Sequence, residues 1–185
     1  MSIQPSGLLA KPVTRITVMQ GQALVSAGPR VELTTVLGSC VATCLFDPEV
    51  ELGGMNHFLL AEPPAAQKAM GVDEHYGVYL MEVLINQMLA HGASKSRLRA
   101  HLYGGANLHA NMARIGTANA EFARSFLQRE RIPLIKEDLG GTQARRVDFR
   151  PASGQVRCRM VANDMAPEPQ PIQRPAAQRG EVELF

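Results

Sequence analysis

Val31-Glu32-Leu33-Thr34-Thr35-Val36-Leu37-Gly38-Ser39-Cys40-Val41-Ala42-Thr43-Cys44-Leu45-Phe46-Asp47 decides the fold. Both halves are dense in β-branched and apolar residues, the composition of buried strands. Gly38-Ser39-Cys40 interrupts them at a point where the backbone can bend sharply, and Asp47-Pro48 ends the second run. Working outward, Thr14–Met19 alternates branched and polar residues and predicts a strand, with Gln20–Ala27 as its pairing partner and Gly28-Pro29 as a turn. Leu52–Leu60 predicts another strand. Tyr76–His91 predicts a helix, with Tyr79, Met81, Leu84, Ile85, Met88 and Leu89 on one face and Gly92 as its C-cap. Leu98–Tyr103 predicts a strand. Thr117 is expected to cap a second helix over Ala118–Glu130, with Ala120, Ala123, Phe126 and Leu127 inward. Pro133–Glu137, Ala144–Phe149 and Gln155–Val161 predict closing strands, the last two joined at Ser153-Gly154. Many short strands and two main helices packed on the sheet give an α+β class, a layered α/β sandwich.

The chain has 185 residues, enough for one domain with a sizeable core. The expected organisation is a flexible N-terminus over 1–13, a domain over 14–162 and a disordered Pro-rich tail over 163–185, where Pro167, Pro169, Pro171 and Pro175 crowd together. The end Glu181-Val-Glu-Leu-Phe185 reads either as a docking peptide or as a plain unstructured end. A net charge of +2, scattered basic residues and no tryptophan argue against a nucleic-acid binder. No run approaches the roughly 20 apolar residues that span a bilayer, and the N-terminus lacks a signal-peptide layout. A cytoplasmic chain with no membrane insertion is therefore expected. Cys40, Cys44 and Cys158, an odd number in such a compartment, read as free thiols.

Three residues stand out chemically. Cys40 follows Gly38-Ser39 at a turn whose N–H groups can converge on one point, the geometry of an oxyanion hole. Its thiol needs a neighbouring base or cation to act as a nucleophile. His57 sits on an otherwise apolar strand, and the turn at Asp47-Pro48 can bring it to Cys40 as acid and base. Thr34, on the strand entering the cysteine turn, offers a hydroxyl to orient an imidazole; its neighbour Thr35 is of the same type. Taken singly, each is equally a packing residue of a buried strand.

Leu37 through Pro48, followed by Gly53-Gly54-Met55-Asn56-His57-Phe58, resembles the signature of the chemoreceptor glutamine deamidases, the CheD family. Tyr76-Gly77, Tyr103-Gly104-Gly105-Ala106, Ile115-Gly116 with Asn119, and Asp138-Leu139-Gly140-Gly141 with Arg145 resemble the family's further motifs in the same order. The resemblance spans about Thr14–Val161. It implies Cys40 as nucleophile, His57 as general base and acid, and Thr34, six residues before the cysteine, as the third member. It implies a layered sandwich like that of toxin deamidases and glutamines on the cytoplasmic helices of chemotaxis receptors as substrates. Receptor methylester hydrolysis and a CheC-type phosphatase partner come with it. Asn56, Thr142 and Ala144 depart from the family's usual residues.

On this reading Cys40 attacks the carboxamide, N–H groups of the Gly38-Ser39-Cys40 turn hold the oxyanion, and Gly104, Gly105 and Tyr76 are candidates to line the substrate site. No cofactor or metal is called for, and a monomer is expected. A zinc site from Cys40, Cys44 and His57 is the first alternative, but positions 40 and 44 on one strand lie about 13 Å apart. The second is a docking module for receptors or a phosphatase without turnover. Cys44 and Cys158 read as packing residues, and His75, His91, His101 and His109 have no assigned role.

Overall fold

The computed structural model describes residues 12–60, 75–108 and 115–170. Nine strands and two helices follow one another as β1 (Thr14–Thr17), β2 (Ala23–Ser26), β3 (Val31–Leu37), β4 (Val41–Asp47), β5 (Leu52–Phe58), α1 (His75–Ala90), β6 (Arg99–Gly104), α2 (Ile115–Arg129), β7 (Leu134–Leu139), β8 (Arg145–Arg150) and β9 (Gln155–Met160). They form two sheets, one ordered β1-β3-β8-β9 and the other β2-β5-β4-β6-β7. The helices pack on the second sheet, α1 against β5 and β2, α2 against β4 and β6. The result is the expected α+β class in three layers, sheet on sheet on helices.

Strand alternation sorts the side chains between two cores. Leu33, Leu37, Cys40, Ala42, Cys44, Met55, Val147 and Phe149 fill the space between the sheets. Val41, Leu45, Phe58, Leu84, Met88 and Phe126 fill the space between the second sheet and the helices. The outer face of the first sheet is polar, with Arg15 on Glu32 and Arg157 and Arg159 on Asp148.

Several expectations are corrected. Gln20–Ala27 yields β2, which pairs with β5 in the second sheet, whereas β1 runs parallel to β3 in the first. The chain therefore crosses between sheets at Val18–Gln22. It crosses again at Gly38-Ser39-Cys40, because β3 and β4 belong to different sheets. Tyr79 and Leu89, placed on the inward face of α1, are exposed, while Leu80 is buried there. Thr117 lies inside α2, where its hydroxyl accepts from the Asn107 amide. Residues 163–170, expected as disordered tail, begin with a 3-10 turn over Asn163–Met165 and are bonded to the domain. The loop Glu62–Asp73, His109 and residues 171–185, including the terminal Glu181–Phe185, lie outside the described residues.

Candidate active site

The two crossings lie at one corner of the sandwich, and the site is built between them. Val41 pairs with Phe58 and Ala42 with His57 across β4 and β5. Cys40, one step before the strand, shares the inter-sheet face with Ala42. His57 is then its diagonal neighbour on that face, a separation that a long side chain bridges. Both are buried, Cys40 at 4% and His57 at 1% exposure.

The imidazole is fixed from one side. Thr35 donates its hydroxyl to the Val18 carbonyl at 2.9 Å, so its oxygen is free to accept. His57 Nδ1 lies 3.0 Å from that oxygen and 3.3 Å from the Val18 carbonyl. Two acceptors assign the proton to Nδ1. Nε2 then carries the lone pair, and among the described residues no partner meets it. A buried, unpaired acceptor is costly to keep, and this one is chemically able to take a proton.

Thr34, the hydroxyl that the resemblance puts third, points the other way. It donates to Asp148 at 2.7 Å across β3 and β8. The reason is the period of two along a strand: Leu33, Thr35 and Leu37 face the second sheet, so Thr34 faces outward. The sequence contains two adjacent threonines, and only the side of β3 that is buried between the sheets distinguishes them.

The Gly38-Ser39-Cys40 turn is held through its carbonyls. Ala106 N–H donates to Gly38 O at 2.9 Å, and Gly105 N–H to Cys40 O at 2.8 Å. The Asn119 amide donates to Ser39 O at 2.7 Å while its oxygen accepts from Leu60 N–H at 2.8 Å. With all three carbonyls occupied, the peptide planes are set, and no backbone carbonyl among the described residues takes the N–H of Ser39 or Cys40. Gly104 has φ +109, and a Cβ there would stand 2.1 Å from the Cys40 carbonyl oxygen. Gly104 and Gly105 thus support the turn from behind. Gly140 N–H donates to Gly104 O, and the fully buried Arg145 guanidinium binds Asp138 and the Gly140 carbonyl. Three of the four downstream motifs therefore converge on one turn. Tyr76 reaches the other crossing, its hydroxyl lying against Gly21.

Two residues were missed by sequence reasoning besides Thr35. The Val18 carbonyl belongs to a crossing that the sequence presents as a strand end. Gln20, read only as strand, brings its side-chain oxygen within 3.8 Å of the Cys40 sulfur. Asn56, the departure beside the histidine, faces the helices. It accepts from Thr43 N–H and donates to the Leu80 carbonyl and Met81 sulfur, so it ties α1 to the sheet.

Burial holds the Cys40 thiol and the His57 imidazole neutral. It pushes the Cys40 thiol up to about 12, partly offset by its own backbone N–H. It pulls His57 down to about 4, partly offset by the Val18 carbonyl. A thiolate–imidazolium pair is disfavoured in this closed arrangement, because burial opposes the charged form of each group. The proton must therefore leave sulfur as the carbonyl carbon arrives, or after the site has gained water.

The family model described as CheD chemotactic sensory transduction matches residues 59–160. A Zymomonas mobilis protein described as a probable chemoreceptor glutamine deamidase CheD is 59% identical over 149 residues, 80% of this chain and 81% of that one. Proteins of the same description from Caulobacter sp. strain K31 and Caulobacter vibrioides NA1000 are 48% and 47% identical, covering 94% and 92% of this chain and 94% and 93% of theirs.

Proposed function

Because the chain belongs to the CheD family, we propose that it deamidates glutamine side chains of chemoreceptors to glutamate, with Cys40 as nucleophile, His57 as acid and base and Thr35 as the hydroxyl that orients His57. The observation that carries the site assignment is the free lone pair of His57 Nε2 on the same inter-sheet face as the Cys40 thiol, with Nδ1 held by Thr35 and Val18.

The steps balance without a cofactor. His57 Nε2 takes the Cys40 proton as sulfur bonds to the carboxamide carbon. The carbonyl electrons move to oxygen, which the Ser39 and Cys40 N–H groups receive, an interaction worth about 3–4 kcal/mol in comparable sites. The imidazolium returns its proton to the amine, the C–N bond breaks, and ammonia leaves a thioester. Water then attacks that thioester, His57 accepts its proton, and sulfur departs and is reprotonated, leaving glutamate. A methylester would pass through the same thioester with methanol as leaving group, which is how ester hydrolysis enters the reading.

Cytoplasmic receptor helices as the substrate surface, a CheC-type phosphatase as partner, a monomeric working form and a cytoplasmic location extend the same family expectation. None of the described helices is long and apolar enough to cross a membrane. The test is conversion of glutamine to glutamate in a receptor cytoplasmic fragment by wild type and by Cys40→Ala and His57→Ala proteins. A protein that binds the fragment but converts nothing is instead a docking module.

A further inference from the structure

A glutamine side chain already stands beside the thiol. The Cys40 sulfur donates to Gln20 Oε1 at 3.8 Å. Gln20 offers a primary carboxamide, the functional group that the proposed reaction attacks. It comes from the Val18–Gln22 crossing, whose backbone is fixed by Gly21 N–H on His57 O and His57 N–H on Gln22 O.

The same side chain is gripped from outside by the chain's own C-terminal segment. Gln20 Nε2 donates to the Gln170 carbonyl at 3.0 Å, and Gln170 N–H donates to Gln20 Oε1 at 3.2 Å. The main-chain N–H and C=O of one residue thus hold both ends of one carboxamide. The segment leading to Gln170 is itself anchored. Asn163 Oδ1 accepts from Ala144 N–H at 2.9 Å, and its amide donates to the Thr142 carbonyl at 3.1 Å. Midway, Ala166 passes Gly38 so closely that a Cβ on the glycine would lie 3.3 Å from the Ala166 methyl. A groove of about 440 Å³ remains between this strap and the enzyme body, lined by Ser39, Asn107 and Gly116 on one side and Asp164, Pro167 and Pro169 on the other.

We infer that Gln20 is a built-in carboxamide plug, locked over Cys40 by the 163–170 strap, and that a substrate glutamine enters only when the strap lets go. The inference rests on the deamidase reading above. Two features make the lock reversible. Both strap bonds to Gln20 are exposed to solvent, and most strap residues are exposed, the properties of a segment that opens at low cost. Gln20 also presents its oxygen to the thiol hydrogen, so the resting contact is a hydrogen bond and the plug is not consumed. Opening removes the plug, admits water around the thiol and frees the groove at once.

The experiment uses the full-length chain and reads the rate of iodoacetamide alkylation at Cys40 by mass spectrometry, beside steady-state deamidation. Gln170→Ala keeps the main-chain bonds and is expected to match wild type. Gln170→Pro deletes the N–H donor, in a stretch already flanked by Pro169 and Pro171. It is expected to raise the alkylation rate about fivefold, the worth of one exposed bond. Asn163→Ala, remote from the thiol, is expected to do the same. In the deamidation assay both lower KM with kcat unchanged. Alkylation rates equal to wild type in Gln170→Pro and Asn163→Ala overturn the plug. So does conversion of Gln20 to glutamate in wild type, which would make it a substrate. Alkylation does not require turnover, so accelerated labelling without any receptor deamidation would defeat the deamidase reading while leaving the strap in place.

Discussion

Replacing Thr35 and Thr34 one at a time by valine separates two residues that the sequence cannot tell apart. Valine keeps the shape and removes only the hydroxyl. At Thr35 the loss breaks the 3.0 Å bond to His57 Nδ1 and the 2.9 Å bond to Val18 O. A buried hydrogen bond contributes about 1–1.5 kcal/mol net, so Thr35→Val should lose about 2 kcal/mol of stability. The Val18 carbonyl at 3.3 Å remains a weaker acceptor for Nδ1. The productive ring orientation should thus fall by the worth of about one bond, or roughly tenfold in kcat at 1.36 kcal/mol per tenfold. KM should not move, because the hydroxyl lies behind the imidazole. At Thr34 the loss breaks only the bond to Asp148, for about 1 kcal/mol of stability and less than a twofold change in kcat. Steady-state deamidation, urea unfolding and the 15N resonances of His57 measure all three effects; in Thr35→Val the Nδ1–H tautomer signal should weaken. If Thr34→Val loses tenfold in kcat and Thr35→Val does not, the assignment of the orienting hydroxyl is wrong.

Three further outcomes follow from the same geometry. Asn119→Ala removes two buried bonds, to Ser39 O and Leu60 N. It should cost about 2–3 kcal/mol in urea unfolding and lower kcat at least tenfold as the turn loosens. Gly104→Ala places a methyl on the Cys40 carbonyl at φ +109. It should destabilise the fold by about 2 kcal/mol or more and abolish Cys40 reactivity, whereas Gly140→Ala, with open space around its Cβ position, should lose less. His57 titrates near 4 in the fold against 6.5 unfolded. The unfolded chain binds the extra proton between those values, so this contribution is complete above pH 6.5 and is lost as pH falls toward 4. Between pH 7.5 and 5 it should amount to about 2 kcal/mol, read as the difference in urea-unfolding pH dependence between wild type and His57→Gln.

The sequence carried most of the strand boundaries because β-branched runs bounded by Gly, Pro and Asp leave few choices. It singled out Cys40 and His57 by their distinctive local contexts, and the register of β4 and β5 puts both on one inter-sheet face. Three things were not legible, each for a physical reason. Whether β3 and β4 belong to one sheet or two depends on the angle at Gly38-Ser39-Cys40, which the tie from Asn119, far along the chain, helps to set. The choice between Thr34 and Thr35 depends on which face of β3 meets the second sheet, and the mixture Glu32, Thr34 outward and Leu33, Thr35, Leu37 inward is only weakly patterned. The fate of residues 163–170 is decided by side-chain contacts of Asn163 and Gln20 rather than by apolar burial, so a composition rich in proline reads as disorder. Tyr79 and Leu89 show the converse, apolar residues at the edge of a helical stripe that the sheet does not reach.

The most direct test of the central claim is mass spectrometry of a chemoreceptor cytoplasmic fragment incubated with wild type, Cys40→Ala and His57→Ala proteins. The account predicts glutamine residues raised by about one mass unit with wild type, the difference between an amide and an acid, and unchanged fragments with both variants. Conversion that persists in Cys40→Ala would contradict it, because no other group at that corner of the sandwich has been assigned the role of nucleophile.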